Sequence, residues 1–134
     1  MDVCTTAYNK SFEKDCIAKL AALYPDLADH LMNIHDHIED LMIPFFKRWY
    51  YSRAMQGSYS IKYVLPALYP DDPTLDYHNL EGVHNGGEAM DVFQKMASMH
   101  PEELETWRKH LLKYCELDTY AMVKVWERLN EVIQ

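Results

Sequence analysis

The stretch LLKYCELDTYAM, residues 111–122, lies within a long helical pattern in the last third of the chain. Apolar side chains recur there every three or four positions, which is the spacing of one face of an α-helix. The members of this stripe are Leu104, Trp107, Leu111, Tyr114, Asp118, Ala121, Val125, Leu129 and Val132. Asp118 is the one carboxylate among them, and Tyr114 precedes it by about one turn. The pattern predicts a helix that turns a carboxylate towards the protein interior.

Two explanations of Asp118 remain open on spacing alone. A separation of four places Tyr114 and Asp118 on one helical face. A buried carboxylate needs a partner, because an unpaired buried charge is costly, and a divalent metal ion would satisfy it. Alternatively, Asp118 caps a second helix that begins at Thr119, and Tyr114 is an ordinary core residue.

The remaining elements are predicted to be mainly helical. Residues 2–8 are rich in β-branched and aromatic types and predict one short strand, which lacks a partner strand in the chain. Helices are predicted from Ser11, as N-cap, to about Tyr24, from about Asp26 to Ile38, from Ser58 or Ser60 to about Tyr69, and from about Glu88 to Met99. The final helical region is predicted from Pro101 to about Ile133, either as one helix or as two divided near residue 117. The first helix would bury Phe12, Cys16, Leu20 and Leu23. Residues 70–87 carry clustered Pro, Asp and Gly and predict a surface loop.

Composition limits the class of protein. The chain has 134 residues, 49% of them hydrophobic, and a formal net charge of −8. The acidic balance argues against an autonomous, non-specific nucleic-acid binder, although an acidic site can reach phosphates through metal ions. No apolar run approaches the ~20 residues of a membrane span. Cys4, Cys16 and Cys115 form no CxxC pair and predict reduced thiols in the core of a cytoplasmic protein.

A second candidate position lies near the N-terminus, in YNKSFEK at residues 8–14. Asn9 turns the chain after the predicted strand, and Glu13 falls in the first turn of the helix that follows. An acid where a strand ends and a helix begins is a common position for chemistry in α/β folds. A first-turn glutamate also complements the helix dipole, so this pattern alone leaves both explanations open.

Together the two positions resemble a known family. YNKSFE resembles the second motif of the DEDD 3′–5′ exonucleases, an asparagine followed by an aromatic residue and an acid. YCELD resembles YxxxD, the third motif of the tyrosine subclass. The wider set of segments YNKSFEK, DLMIPF, YY, GSYSIKYVLPALYP, LDYHNL, NGGEAM and YCELDTYAMV resembles a bacterial domain family of unknown function, found at the C-terminus of predicted RecB-like nucleases.

The resemblance implies a fold and a chemistry. We expect residues 1–134 to form a single, truncated domain that is mostly α, the later portion of a ribonuclease H-like α/β exonuclease fold, with one short N-terminal strand and about six helices. It implies two-metal phosphodiester hydrolysis with Mg²⁺ or Mn²⁺. Glu13 and Asp118 would be metal ligands, and Tyr114 would position the attacking water.

The chain also departs from the exonuclease pattern. The first motif, Asp-x-Glu, does not occur before Asn9, so half of the expected metal-binding acids are missing. The second-motif acid is Glu13 where the wider superfamily uses aspartate, which lengthens the side chain by one methylene. We therefore expect weak metal binding and little or no activity from this chain by itself.

A segment of mixed basic and aromatic residues predicts contact with DNA or RNA. FFKRWYYSRAMQGSYSIKYV, residues 45–64, interleaves positive charges with tyrosine and tryptophan, a combination that suits phosphates and stacked bases. The candidate nucleic-acid-binding residues are Asn9, Lys47, Arg48, Arg53 and Lys62. Alternatively, most of these aromatic residues belong to the core and the basic groups are solvated.

A different class of function also fits the sequence. Without the first motif, the chain would be a non-catalytic helical interaction module associated with a nuclease. The unpaired strand at residues 2–8 then predicts either self-association or pairing with a missing N-terminal segment.

Overall fold

The computed structural model describes residues 4–134. The chain forms two compact units, one ending at Ser52 and one running from Arg53 to Gln134, and each is described by itself. Within the described residues there are two strands and six α-helices: β1 Thr5–Ala7, α1 Lys10–Leu23, α2 Ala28–Asp36, β2 Ile38–Asp40, α3 Ile43–Phe46, α4 Ile61–Leu68, α5 Gly86–Lys95 and α6 Pro101–Ile133. The predicted mostly helical fold class is confirmed, whereas the single domain stays a prediction.

The first unit contains a small parallel sheet. β1 pairs with β2, so that Thr5 lies opposite Ile38 and Ala7 lies opposite Asp40. The prediction that the first strand has no partner in the chain was therefore wrong, as was the extension of the second helix to Ile38. β2 is too short to show an alternating pattern, and it forms only because α1 and α2 return the chain alongside β1.

A distant carboxylate stabilises the start of α1. Asn9, with φ of 70°, turns the chain in the left-handed conformation that asparagine tolerates. Asp40 accepts hydrogen bonds from the backbone N–H groups of Asn9, Lys10 and Met42 at 2.9–3.1 Å. The helix thus begins at Lys10, and the prediction of Ser11 as its N-cap was wrong.

The predicted inward face of α1 was also wrong. Phe12 is 64% exposed and Leu23 is 71% exposed, and Leu20 is exposed as well, whereas Ala21 is the buried residue of this helix. Helical periodicity identifies an apolar face but not the element that covers it. The predicted core position of the cysteines was wrong for the same reason, since Cys4, Cys16 and Cys115 are free and exposed.

The core of the second unit lies largely along α4 and α6. Val64, Leu65 and Leu68 of α4 are buried. On α6 the buried residues are Leu117, Ala121 and Val125. α6 runs without a break, so the hypothesis that Asp118 caps a helix beginning at Thr119 was wrong. None of the helices described in residues 4–134, α6 included, is both long and apolar enough to cross a membrane.

The segment between α4 and α5 is more ordered than its composition predicted. It contains two 3₁₀ turns, Pro73–Leu75 and Tyr77–Asn79. Leu75 in the first turn and Tyr77 in the second are almost completely buried. Asp72 and Asp76 each cap one turn by accepting a backbone hydrogen bond two residues further on. The prediction of a surface loop was wrong for these buried positions, because turn-forming residues also allow a chain to enter the core.

Candidate active site

Asp118 lies in the middle of α6 and is half-buried. Its Oδ1 atom accepts a hydrogen bond from the Tyr77 hydroxyl, with an Oη–Oδ1 distance of 3.0 Å. The hydrogen bond from Tyr77 stabilises the half-buried carboxylate, and the Asp118 side chain remains partly accessible to solvent. The neighbours of Asp118 on the stripe, Ala121 and Val125, are fully buried, so the helix does present the carboxylate on its inward face as predicted.

Tyr114 stands one turn before Asp118 and contacts the same partner. Its ring packs edge-on against the ring of Tyr77, with 6.1 Å between centroids and 62° between planes. Burial, and secondarily the negative charge of Asp118, raises the pKa of Tyr114 to about 12. A tyrosine phenol is protonated at neutral pH, and the raised pKa extends the protonated range to higher pH, so the hydroxyl can donate a hydrogen bond. A Cβ at Gly86 would lie 3.7 Å from the Tyr114 hydroxyl, which places that oxygen beside the start of α5.

Two contacts between α4 and α6 fix the helix that carries this pair. The Tyr69 hydroxyl donates to the backbone carbonyl of Lys124 at 2.8 Å. The Arg128 guanidinium donates to the carbonyl of Leu68, at the end of α4, at 3.1 Å and stacks over the Tyr69 ring at 4.8 Å. These contacts satisfy the Leu68 carbonyl at the end of α4 and hold α6 against that helix.

Glu13, the other candidate metal ligand, belongs to the first unit. It lies in the first turn of α1 and is half-buried. The structure therefore brings Tyr114 and Asp118 together within the second unit, and it describes Glu13 separately. A role for Glu13 alongside Asp118 stays a prediction.

The donor chemistry of Asp118 fits a hard divalent cation, because Mg²⁺ and Mn²⁺ prefer carboxylate oxygens. Tyr77 engages one oxygen of this carboxylate, and a metal ion would bind through the other. No group of three or more His, Cys, Asp or Glu side chains that could hold a metal ion occurs within residues 4–134. Asp118 is thus one suitable ligand and not a complete metal site.

Two candidate nucleic-acid contacts of the first unit, Lys47 and Arg48, directly precede an exposed tryptophan in the sequence. Trp49 is 71% exposed, and Tyr51 is exposed beside it in sequence. The Lys47 ammonium lies 5.0 Å from the centroid of the Trp49 ring. Arg48 is exposed and adopts a left-handed backbone with φ of 58°. The alternative that these aromatic residues form the core does not hold for Trp49 and Tyr51.

The remaining candidate contacts are distributed over both units. In the second unit Arg53 is exposed and Lys62, on α4, is half-buried, while Tyr59 and Tyr63 expose much of their rings. In the first unit Asn9 is exposed at the turn before α1. Their function in binding stays a prediction.

Tyr77 is the site residue that sequence reasoning missed. It lay in the segment assigned to a surface loop, and nothing in helical or strand periodicity marks it. A usable signal is present in PDDPTLDYHNL, residues 70–80, where Asp72 and Asp76 each precede a short turn and the apolar Leu75 and Tyr77 alternate with polar residues. Two consecutive aspartate-capped turns with alternating apolar residues favour a structured insertion into the core.

Comparison with known proteins adds one partial match. Residues 1–60 match a family described as a domain of unknown function (DUF2779). The match includes Glu13 and most of the basic and aromatic segment, and it stops before Tyr114 and Asp118. No curated protein matches this chain. No solved structure matches it either.

Proposed function

We propose that this chain carries part of a two-metal 3′–5′ exonuclease site and belongs to a nuclease-like domain with a ribonuclease H-like fold. The observation that supports the proposal most is the half-buried carboxylate of Asp118, one turn from a protonated Tyr114 on the same helix. Divalent ions, when bound, supply activation of a water molecule and stabilisation of the leaving oxygen in such chemistry.

The residues of the chain have distinct roles in this proposal. Asp118 binds a metal ion through a carboxylate oxygen. Tyr114 would orient the attacking water by donating its hydroxyl proton in a hydrogen bond, since a tyrosine is protonated at neutral pH and burial raises the pKa of Tyr114 further, to about 12. Glu13, in the first turn of α1 in the first unit, stays a predicted metal ligand.

The proposed substrate is a DNA or RNA strand. Support comes from the exposed rings of Trp49 and Tyr51, next to Lys47 and Arg48, since stacking on aromatic rings and neutralisation of phosphates are the two contributions that single-stranded nucleic acid requires. A net charge of −8 means that such binding is local and does not come from the protein surface as a whole.

Calorimetric titration with Mn²⁺ tests the proposal. The chain should bind Mn²⁺ weakly, because no group of three or more His, Cys, Asp or Glu side chains that could hold a metal ion occurs within residues 4–134. Asp118→Asn should abolish the binding, and Asp91→Asn should leave it unchanged, since Asp91 is an exposed carboxylate on α5. Binding that both substitutions weaken equally, or no binding by the wild type, would contradict the proposal for this chain.

Fluorescence tests the nucleic-acid interaction. A single-stranded oligonucleotide should quench the emission of Trp49 as a base stacks on its ring, and added salt should reverse the effect. The variant Trp49→Phe provides the control, because it should lose the quenched component while Trp107 and Trp126 continue to emit. Quenching of the same size in Trp49→Phe would place the contact elsewhere.

A second candidate function is a non-catalytic interaction module. It is favoured by the apolar face of α1, where Phe12, Leu20 and Leu23 are exposed. In the described part of the first unit, the sheet has only two strands, so the outer edge of β1 is also available for pairing. A surface of this kind is typical of a site that a partner or a second copy covers.

Size-exclusion chromatography with light scattering separates the two candidates. An interaction module that self-associates should form a dimer at high concentration, and Leu23→Lys should shift it towards the monomer by placing a charge on the apolar face. Lys19→Ala is a suitable control on the same helix. A wild-type monomer at all concentrations would contradict self-association.

A further inference from the structure

Tyr77 makes the one hydrogen bond to the Asp118 carboxylate that the structure gives within residues 4–134. Its side chain is 1% exposed, yet its hydroxyl reaches Oδ1 of Asp118 at 3.0 Å. The same ring packs edge-on against Tyr114. One buried side chain thus contacts both residues of the candidate pair on α6.

The backbone around Tyr77 is held by its own hydrogen bonds. Asp72 Oδ1 accepts from both the backbone N–H and the hydroxyl of Thr74, at 3.0 and 2.6 Å. Asp76 Oδ1 accepts from the backbone N–H of His78, and the Asn79 side chain donates to the carbonyl of Pro73 at 2.9 Å. These bonds close the turn that precedes Tyr77 and the turn that Tyr77 begins, and they fix the direction from which its hydroxyl approaches α6.

We propose that Tyr77 is a positioning residue of the candidate active site, which holds the Asp118 carboxylate in one orientation and keeps the Tyr114 ring beside it. This inference rests on the proposed function. It adds the residue that fixes the side-chain orientations of Asp118 and Tyr114, the two site residues on α6. An aspartate on a helix can rotate about its side-chain bonds. A donor fixed on Oδ1 leaves Oδ2 aimed in a constant direction, which is what a metal ligand requires.

Tyr69 provides a matched control within the same unit. It also donates its hydroxyl to α6, but to the backbone carbonyl of Lys124, at 2.8 Å, and not to Asp118. Tyr69→Phe and Tyr77→Phe therefore each remove one phenol hydrogen bond to the same helix. Only the second removes the bond to the candidate ligand.

The test uses the full chain and two measurements. In carbon-13 NMR, Tyr77→Phe should shift the side-chain carboxyl resonance of Asp118, and Tyr69→Phe should leave it in place. In calorimetry, Tyr77→Phe should weaken Mn²⁺ binding about tenfold, as is typical when a residue that orients a metal ligand is changed. Tyr69→Phe should leave the dissociation constant unchanged.

The outcomes separate the inference from the proposed function. Equal effects of Tyr77→Phe and Tyr69→Phe on either measurement would overturn the positioning role. If the wild type binds no Mn²⁺, the proposed function fails for this chain, and the Asp118 resonance alone then decides whether Tyr77 holds the carboxylate. If Tyr77→Phe does not fold, the ring carbon that bears the Tyr77 hydroxyl is monitored in Asp118→Asn, where an unchanged resonance would overturn the inference.

Discussion

The helices α1 and α6 both carry apolar stripes, but only on α6 is the middle of the stripe covered within the described structure, and Val132 at the end of that stripe is 60% exposed. On α6, Leu117, Ala121 and Val125 are buried, and the second unit supplies the α4 side chains and the turns that cover them. On α1, Phe12, Leu20 and Leu23 remain exposed, and Ala21 is the residue that the first unit buries.

The difference shows what helical periodicity can and cannot predict. Spacing defines which side of a helix is apolar, because the side chains of that face recur at fixed intervals. It does not define which element covers that face, since the covering residues lie elsewhere in the chain or in a partner. The covered helix α6 is also the one that carries the candidate site, in agreement with the general need of such sites for a rigid support.

The largest expected effect concerns matched leucines on the two helices. Leu117→Ala on α6 should lower the free energy of unfolding by about 2–5 kcal/mol, because it leaves a cavity at a buried position. Leu23→Ala on α1 should lower it by less than about 0.5 kcal/mol, because the side chain is exposed. Urea denaturation followed by circular dichroism measures both changes. Losses of similar size would mean that α1 is covered as α6 is.

A smaller difference in stability is expected between variants of two glycines that share a left-handed backbone. Gly82 has φ of 76°, and a Cβ there would lie 2.8 Å from the His110 ring and 3.1 Å from Trp107, both on α6. Gly57 has φ of 78° with nothing within 4 Å of such a Cβ. Gly57→Ala should lower stability by about 1–2 kcal/mol for the backbone alone.

At residue 82, the clash of an added Cβ with the His110 and Trp107 rings should increase the loss of stability beyond the cost of the left-handed backbone. Gly82→Ala should cost about 1–3 kcal/mol more than Gly57→Ala, because the rings must shift within packed structure. Thermal unfolding of the two variants under identical conditions measures the difference. Equal melting temperatures would show that the segment before α5 does not pack against α6 as described.

A third prediction concerns the start of α1, which depends on a residue far away in sequence. Asp40→Ala should lower the free energy of unfolding by about 1.5–3 kcal/mol, because three backbone N–H groups lose a charged acceptor. Asp15→Ala removes an exposed carboxylate from the same helix and should have almost no effect. A loss in Asp15→Ala as large as that in Asp40→Ala would indicate a general charge effect in place of a specific cap.

The smallest effect concerns the local cap of α5. Hydrogen bonds from the backbone N–H and side chain of His84 lower the pKa of Glu88, and Asn85 accepts from the Glu88 N–H. The folded pKa is therefore lower than the unfolded one, so Glu88 contributes stability above the ordinary glutamate pKa of 4.5 that is lost as the pH falls through the folded value.

Glu88→Gln should accordingly flatten the decline of stability below about pH 4.5. Melting temperatures measured from pH 7 to pH 3 for the wild type and the variant give the comparison, with Glu81→Gln as an exposed control. An unchanged pH profile in Glu88→Gln would contradict the assigned hydrogen bonds.

The sequence predicted the helical region of α6 and a stripe that includes Asp118, because helical spacing defines the face, but it left open whether the helix breaks near residue 117 and whether Asp118 caps a second helix. It could not predict β2, since three residues carry no periodic signal and their pairing depends on a returning chain. Nor could it predict the partner of Asp118. Tyr77 reaches the carboxylate through two aspartate-capped turns, and turn-forming residues are equally typical of exposed loops.

Mn²⁺ line broadening in nitrogen-15 NMR shows whether the Asp118 carboxylate, on the inward face of α6, is a metal ligand. At substoichiometric Mn²⁺, we expect selective loss of the amide signals of Tyr77, Tyr114 and Asp118 in the wild type, and their recovery in Asp118→Asn. The absence of selective broadening around Asp118, or the same broadening in Asp118→Asn, would contradict this role of Asp118.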